Sequence, residues 1–189
     1  MKTVRVLALS PVPEEGAGGR FRVYQYIPYL QSNGFQVTVS PFFTPDFFRI
    51  VYQKGRYLRK GFLFATQAFN RLQLLATHNN NYDLFFVYRE AFPVGPPLIE
   101  LALSGMRDRP LIYDFDDAIF LPNSSDANKL VSMLKYPKKV SQIIRASDRV
   151  VAGNACLAEY ARAHNKAVSV IPTCVDTTRF VPRSRHEDS

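Results

Sequence analysis

Six short strand-like runs, five of them mainly apolar and one, Phe35 to Ser40, alternating and β-branched, punctuate this chain, and stretches of helical spacing separate them. Val4 to Leu9, Phe35 to Ser40, Leu84 to Tyr88, Leu111 to Phe115, Arg149 to Ala152 and Val168 to Ile171 are each too short for a stable helix. Turn residues close them, as Ser10-Pro11 and Pro172 do. The third, Leu84-Phe85-Phe86-Val87-Tyr88, is apolar at every position, as a strand buried on both faces must be. Strands that alternate with helices, and that cover both faces, fold as a parallel sheet with right-handed crossovers. The pattern therefore predicts an α/β, Rossmann-like sheet of about six or seven strands with helices on both faces. Ligands of such sheets bind beyond the carboxyl ends of the strands. Here those ends are Ser10–Arg20, Arg89–Phe92, Asp114–Asp117, Gly153–Asn154 and Pro172–Asp176.

The intervening segments read as helices. Val23, Ile27 and Leu30 share one face of a helix from Arg20 to Asn33, which Pro28 should kink and Gly34 should stop. A helix from about Gly61 to Ala76 precedes the polar loop at His78–Asn81. Pro96-Pro97 suits the first turn of a helix to about Leu103. Ala127 to Ala146 reads as a helix interrupted near Pro137. Asn154 is placed to cap a helix running to His164. Residues 1–180 form one domain in this reading, and 181–189 are a polar tail that begins a linker.

Composition narrows the class. The chain has 189 residues, 47% of them apolar, which is enough to bury a core. Nine glycines and two cysteines exclude collagen-like and disulfide-scaffold classes. No uncharged apolar run is long enough to span a bilayer. The amino-terminal stretch is too short to serve as a secretory signal, so a cytoplasmic location is expected, with Cys156 and Cys174 reduced.

The net charge of +8 is local in origin. Between Phe47 and Tyr82 lie Arg49, Lys54, Arg56, Arg59, Lys60 and Arg71, with no acidic residue. The remainder carries 18 basic against 16 acidic side chains. Phe47, Phe48, Tyr52, Tyr57, Leu58, Phe62, Leu63, Phe64 and Phe69 are interleaved with these cations. Such a segment can rest on an anionic membrane, with Arg49, Lys54, Arg56, Arg59 and Lys60 as the contacts. It can equally be a solvated basic helix whose aromatics pack inward. Nucleic acid ranks last, because no recognised binding motif accompanies the patch.

Two motifs bear on chemistry. Gly16-Ala17-Gly18-Gly19 follows the first strand, where glycines let backbone N–H groups approach an anion. It lacks the third small residue of the dinucleotide fingerprint, having Phe21 there, and no Gly-Lys-Ser/Thr follows. A tight turn and a phosphate or sugar cradle both explain it, and Arg20 and Arg22 favour the second. Asp114-Phe115-Asp116-Asp117 ends the fourth strand. On an extended strand Asp114 and Asp116 share one side and Asp117 faces the other. The three carboxylates suit loop capping, sugar hydroxyls or, least well, a metal. His78, His164 and His186 are isolated, and the cysteines form no CxxC pair, so neither a metal nor a redox centre is expected.

Four runs together resemble the amino-terminal domain of GT-B, family 4 type retaining glycosyltransferases. They are Arg20 to Leu30 continuing through Asn33-Gly34-Phe35-Gln36-Val37-Thr38-Val39, Leu111 to Ile119, Ala146 to Asn154, and Val170 to Phe180. The resemblance implies two Rossmann-like lobes facing across a cleft. The carboxyl-terminal lobe, not present here, would hold the nucleotide-sugar donor and the paired glutamates. The lobe present would bind a glycan or lipid-linked acceptor and lend Gly18 and Gly19 to the donor. It implies transfer with retention, no metal or other cofactor, and no activity from this lobe alone. The substrate-binding residues would be Gly18, Gly19, Arg20, Asp116, Asp117 and Asn154. Many members carry His-Asp where this chain has Asp116-Asp117. Asp116 is thus the candidate catalytic residue, able to accept a sugar hydroxyl but not equivalent to a histidine. Polysaccharide or cell-envelope synthesis on the inner face of the plasma membrane would be the setting. A non-catalytic glycan- or lipid-binding or scaffolding module is the alternative.

Overall fold

The computed structural model describes residues 3–77, 81–106, 108–121, 136, 138–177 and 180. The expected helix upstream of residue 136, His78, His186 and the tail beyond 180 lie outside these residues. Six strands form one all-parallel sheet: β1 (Val4–Ser10), β2 (Phe35–Pro41), β3 (Leu84–Tyr88), β4 (Leu111–Phe115), β5 (Arg149–Ala152) and β6 (Val168–Val170). Their spatial order is β2-β1-β3-β4-β5-β6. The chain moves outward from β1 to β2, then returns across β1 to β3. This reversal makes a switch point between the carboxyl ends of β1 and β3.

The same reversal divides the helices. Right-handed crossovers put a connection on one face when the chain moves one way and on the other face when it moves back. Among the described residues, only the β1–β2 connection puts helices on the first face: α1 (Ala17–Arg22), a 3₁₀ turn (Tyr24–Tyr26) and α2 (Ile27–Ser32). The second face carries α3 (Pro45–Val51), α4 (Tyr57–Thr77), α5 (Leu98–Ser104), α6 (Lys139–Ala146) and α7 (Ala155–Arg162). The main core lies there. Leu7, Leu9, Phe85, Val87, Tyr113, Phe115 and Val150 meet Leu103, Ile143, Ile144 and Ala158, all essentially inaccessible. Each large apolar side chain so buried contributes about 1.5–3 kcal/mol. The register seats these residues in rows, with Leu7 beside Phe85, Val87 beside Tyr113 and Phe115 beside Ala152.

The first face has a smaller cluster of Ala8, Val23 and Tyr88. Past it runs an apolar groove of about 360 Å³. Val6, Phe86, Ile112 and Val151 of the sheet, with Tyr26 and Leu30 opposite, line it.

Local structure departs from expectation in three places. The segment after the glycine turn is two helices joined by a 3₁₀ turn, not one kinked helix. It breaks at Val23, whose ψ of −66° accompanies a φ of −125°. Pro28 then falls in the first turn of α2, where its missing N–H costs no hydrogen bond. The basic aromatic region contains an extra helix, α3. Thr44 caps it by accepting from Phe47 N at 3.3 Å, and Pro45 occupies its first turn. Finally, α4 begins at Tyr57 and spans 21 residues.

Candidate functional site

The glycine turn, the aspartate triplet and the Gly153-Asn154 turn all lie at the carboxyl edge of the sheet. Tyr88 and Arg89, at the end of β3, join them. The Tyr88 ring is fully buried, and its hydroxyl donates to Asp116 Oδ1 at 2.9 Å. A Cβ on Gly18 would come closer than 3.0 Å to that hydroxyl oxygen. Gly18 and Asp116 therefore meet at one phenolic oxygen. On Gly19 a Cβ would meet the Pro13 carbonyl oxygen at 2.9 Å. Close packing alone thus requires glycine at both positions. Gly153 presses on the same site from β5, since its Cβ would lie 2.8 Å from Asp116 Cα.

Arg89 organises the acids. Its Nε donates to Asp116 Oδ1 at 2.9 Å, and its terminal nitrogen pairs with both Asp116, at 2.8 Å, and Asp117. Its guanidinium also stands 5.1 Å from the Tyr88 ring centroid. The backbone here is strained: Arg89 has φ of +57°, a region that costs a residue with Cβ about 1–2 kcal/mol. Its N–H still donates to the Asp114 carbonyl at 2.7 Å, so the sheet ladder continues into the strained residue. Strain of this sort concentrates at binding and catalytic sites.

Asp114 has a different partner from its neighbours. It forms a buried ion pair with Arg22 of α1, with side chains 5% and 2% exposed. Arg22 Nε reaches Oδ1 at 3.0 Å, and another guanidinium nitrogen donates to Ile171 O at 2.6 Å. Burial pushes the Asp114 carboxyl up to about 6, although the hydrogen bond and charge of Arg22 pull it down. Burial also opposes the Arg22 cation, but Asp114 outweighs it and holds Arg22 above its ordinary value. Burial first, with the Asp116 bond adding, raises the Tyr88 phenol far above the usual range despite Arg89. Tyr88 is therefore a donor, not a base.

Asp116 and Asp117 share Arg89, while Asp114 takes Arg22 as its partner; Asp114 still feels the charges of Asp116 and Arg89. The strand ends at Phe115, so the alternation of an extended chain no longer governs residues 116 and 117.

The other expected site residues are occupied locally. Arg20 donates to the carbonyls of Glu14 and Glu15, both at 3.2 Å, and so braces the loop before the glycines. Asn154 caps α7, its Oδ1 accepting from Leu157 N at 2.9 Å, which leaves its amide nitrogen to offer a ligand. Among the described residues, no group of three or more His, Cys, Asp or Glu side chains is arranged to hold a metal. Cys156 and Cys174 are exposed thiols. His164 lies at the surface against Tyr160 and Arg145.

Tyr88 and Arg89 were missed as site residues in the sequence. The available signal was position: a basic residue directly after a fully apolar strand falls at the ligand-binding edge of such a sheet. What the edge offers chemically is a cluster of hydrogen-bond donors and acceptors around Asp116, beside a glycine turn, at the switch point. No family model and no curated protein matches the chain.

Proposed function

We propose that this domain is the acceptor-binding lobe of a retaining glycosyltransferase. It would work with a second lobe of the same polypeptide that holds the nucleotide-sugar donor. The observation that carries the reading is the convergence of Gly18, Tyr88, Arg89 and Asp116 at the β1/β3 switch point. A sugar presents hydroxyls that both donate and accept, and Asp116 and Arg89 supply both complements. The open apolar groove on the α1–α2 face also supports a partner lobe, because parallel sheets are normally covered on both faces.

In this reading Asp116 orients a sugar hydroxyl, while Gly18 and Gly19 bring backbone close to the donor. The reaction moves the sugar from its nucleotide diphosphate to a glycan or lipid-linked acceptor hydroxyl, with retained configuration. Titration of the chain with nucleotide sugars should give only millimolar binding, and glycan acceptors should perturb the Asp116 and Asp117 amide resonances saturably. Micromolar donor affinity would contradict the division between lobes. In the two-lobed enzyme, Asp116→Ala with undiminished turnover would remove Asp116 from the mechanism.

One observation favours the second reading, a non-catalytic glycan-binding module. Asp114, Asp116 and Asp117 are all ion-paired with arginine, so each is engaged before any substrate arrives. Saturable glycan binding with no transfer by the two-lobed protein would establish that alternative.

A further inference from the structure

The side of α4 that faces away from the core carries an apolar stripe that the fold does not use. Leu58, Phe62, Ala65, Phe69, Leu72 and Ala76 are all exposed. Their spacing alternates between four and three, so they form one line along about 27 Å of helix. The four large members are 93, 72, 66 and 60% exposed in chain order. The inward side is apolar as well: Leu63 and Phe64 join the Phe42–Phe47–Ile50 cluster, and Leu74 and Leu75 join the main core. Arg71, counted among the cations in the sequence, is buried and bonds Ser40 at 3.0 and 3.2 Å. A helix that is apolar on both sides calls for cover on both sides, and an exposed stripe of this length is a contact surface.

Charge decides what covers it. Lys54, Arg56 and Arg59 are exposed at the amino-terminal end of the stripe, beside Tyr52 and Tyr57. No acidic residue occurs from Phe47 to Thr77. A second copy of the helix would meet these cations with no anion in either orientation. An anionic bilayer supplies both an apolar phase and negative phosphates. No helix among the described residues is long and apolar enough to cross a membrane, so the contact is lateral.

We propose that α4 lies in the plane of an anionic membrane, with Leu58, Phe62, Phe69 and Leu72 between headgroups and acyl chains and with Arg56 and Arg59 at the phosphates. The proposal is independent of chemistry at the sheet edge, and either can fail while the other stands.

The test is co-sedimentation of the full 189-residue chain with vesicles of phosphatidylcholine, alone or mixed with phosphatidylglycerol. The chain should bind the mixed vesicles, release as salt rises, and ignore the neutral ones. Phe62→Ser with Phe69→Ser should lower binding at least about tenfold. Arg56→Glu with Arg59→Glu should lower it by about fivefold or more per cation removed. The chain has no tryptophan, so Leu58→Trp adds a single fluorescent reporter that keeps the stripe apolar. Its emission should shift to the blue on mixed vesicles only. Equal binding to both vesicles, no binding with no shift, or full binding by the Phe62/Phe69 variant would overturn the proposal. A concentration-dependent dimer that this variant abolishes, without vesicle binding, would assign the stripe to a second copy and overturn it too.

Discussion

A methyl group added at Gly18 probes the centre of the candidate site. An ideal Cβ there comes closer than 3.0 Å to the Tyr88 hydroxyl oxygen and 3.3 Å to Cζ, whereas ordinary contact begins at 3.4 Å. The ring cannot swing aside freely, because it is fully buried and its hydroxyl is bonded to Asp116. Relief requires a shift of α1, of the ring or of both, and overpacking of this kind costs about 1–3 kcal/mol. Alanine in α1 returns up to about 1 kcal/mol of helix propensity, so the single variant Gly18→Ala is ambiguous. A cycle with Tyr88→Phe separates the two effects. The propensity gain is common to both backgrounds and cancels, while phenylalanine lacks the offending oxygen. The coupling should therefore be about 1–3 kcal/mol, with Gly18→Ala better tolerated once Tyr88→Phe has removed that oxygen than beside the native tyrosine. Tyr88→Phe alone should cost about 1.5–3 kcal/mol, the value of a hydrogen bond to a carboxylate. Urea unfolding of the four proteins, followed by circular dichroism, measures every corner. Costs that add within about 0.5 kcal/mol would refute the contact between Gly18 and the Tyr88 hydroxyl.

Gly153→Ala should lower stability by about 1–3 kcal/mol, because its Cβ meets the backbone of Asp116 and not the end of a flexible chain; an unchanged urea midpoint would contradict this. The pair Arg22–Asp114 predicts a pH profile. A carboxyl held at about 6 when folded and about 3.9 when unfolded binds its proton more tightly in the fold. Its contribution is then fully present below about pH 4 and is lost as pH climbs to about 6, levelling off above. Arg22→Met removes the charge that pulls Asp114 down, so the loss should continue past about pH 6; urea midpoints that run parallel to wild type from about pH 5 to 8 would rule this out.

The sheet was legible because its central strands are predominantly apolar on both faces. Leu84–Tyr88 and Leu111–Phe115 match their apolar runs residue for residue, since no polar alternation blurs their ends. Helix limits were less legible. Pro28 marks a break in the ladder, but sequence does not say which side of the proline the break falls on, and tertiary packing of Val23 decided it. In the region from Phe47 to Phe69, composition could not sort inward from outward aromatics. Phe47 and Phe64 turn into an edge-to-face cluster with Phe42 and Phe43, while Phe62 and Phe69 turn out. At the site, the glycine turn and Asp116 could be named from their positions at strand ends. The link between them could not, because it runs through Tyr88 and Arg89. The position of Arg89 after an apolar strand was readable, but the partner of a buried tyrosine hydroxyl and a left-handed backbone leave no pattern in a single sequence.

Arg89 is the only cation bonded to Asp116 among the described residues, and it also holds Asp117. One guanidinium thus fastens two acids, and the first of these fastens the phenol on which the glycine turn leans. An incoming anion that recruits Arg89 would compete with both carboxylates at once, and so with the acceptor of the Tyr88 hydroxyl.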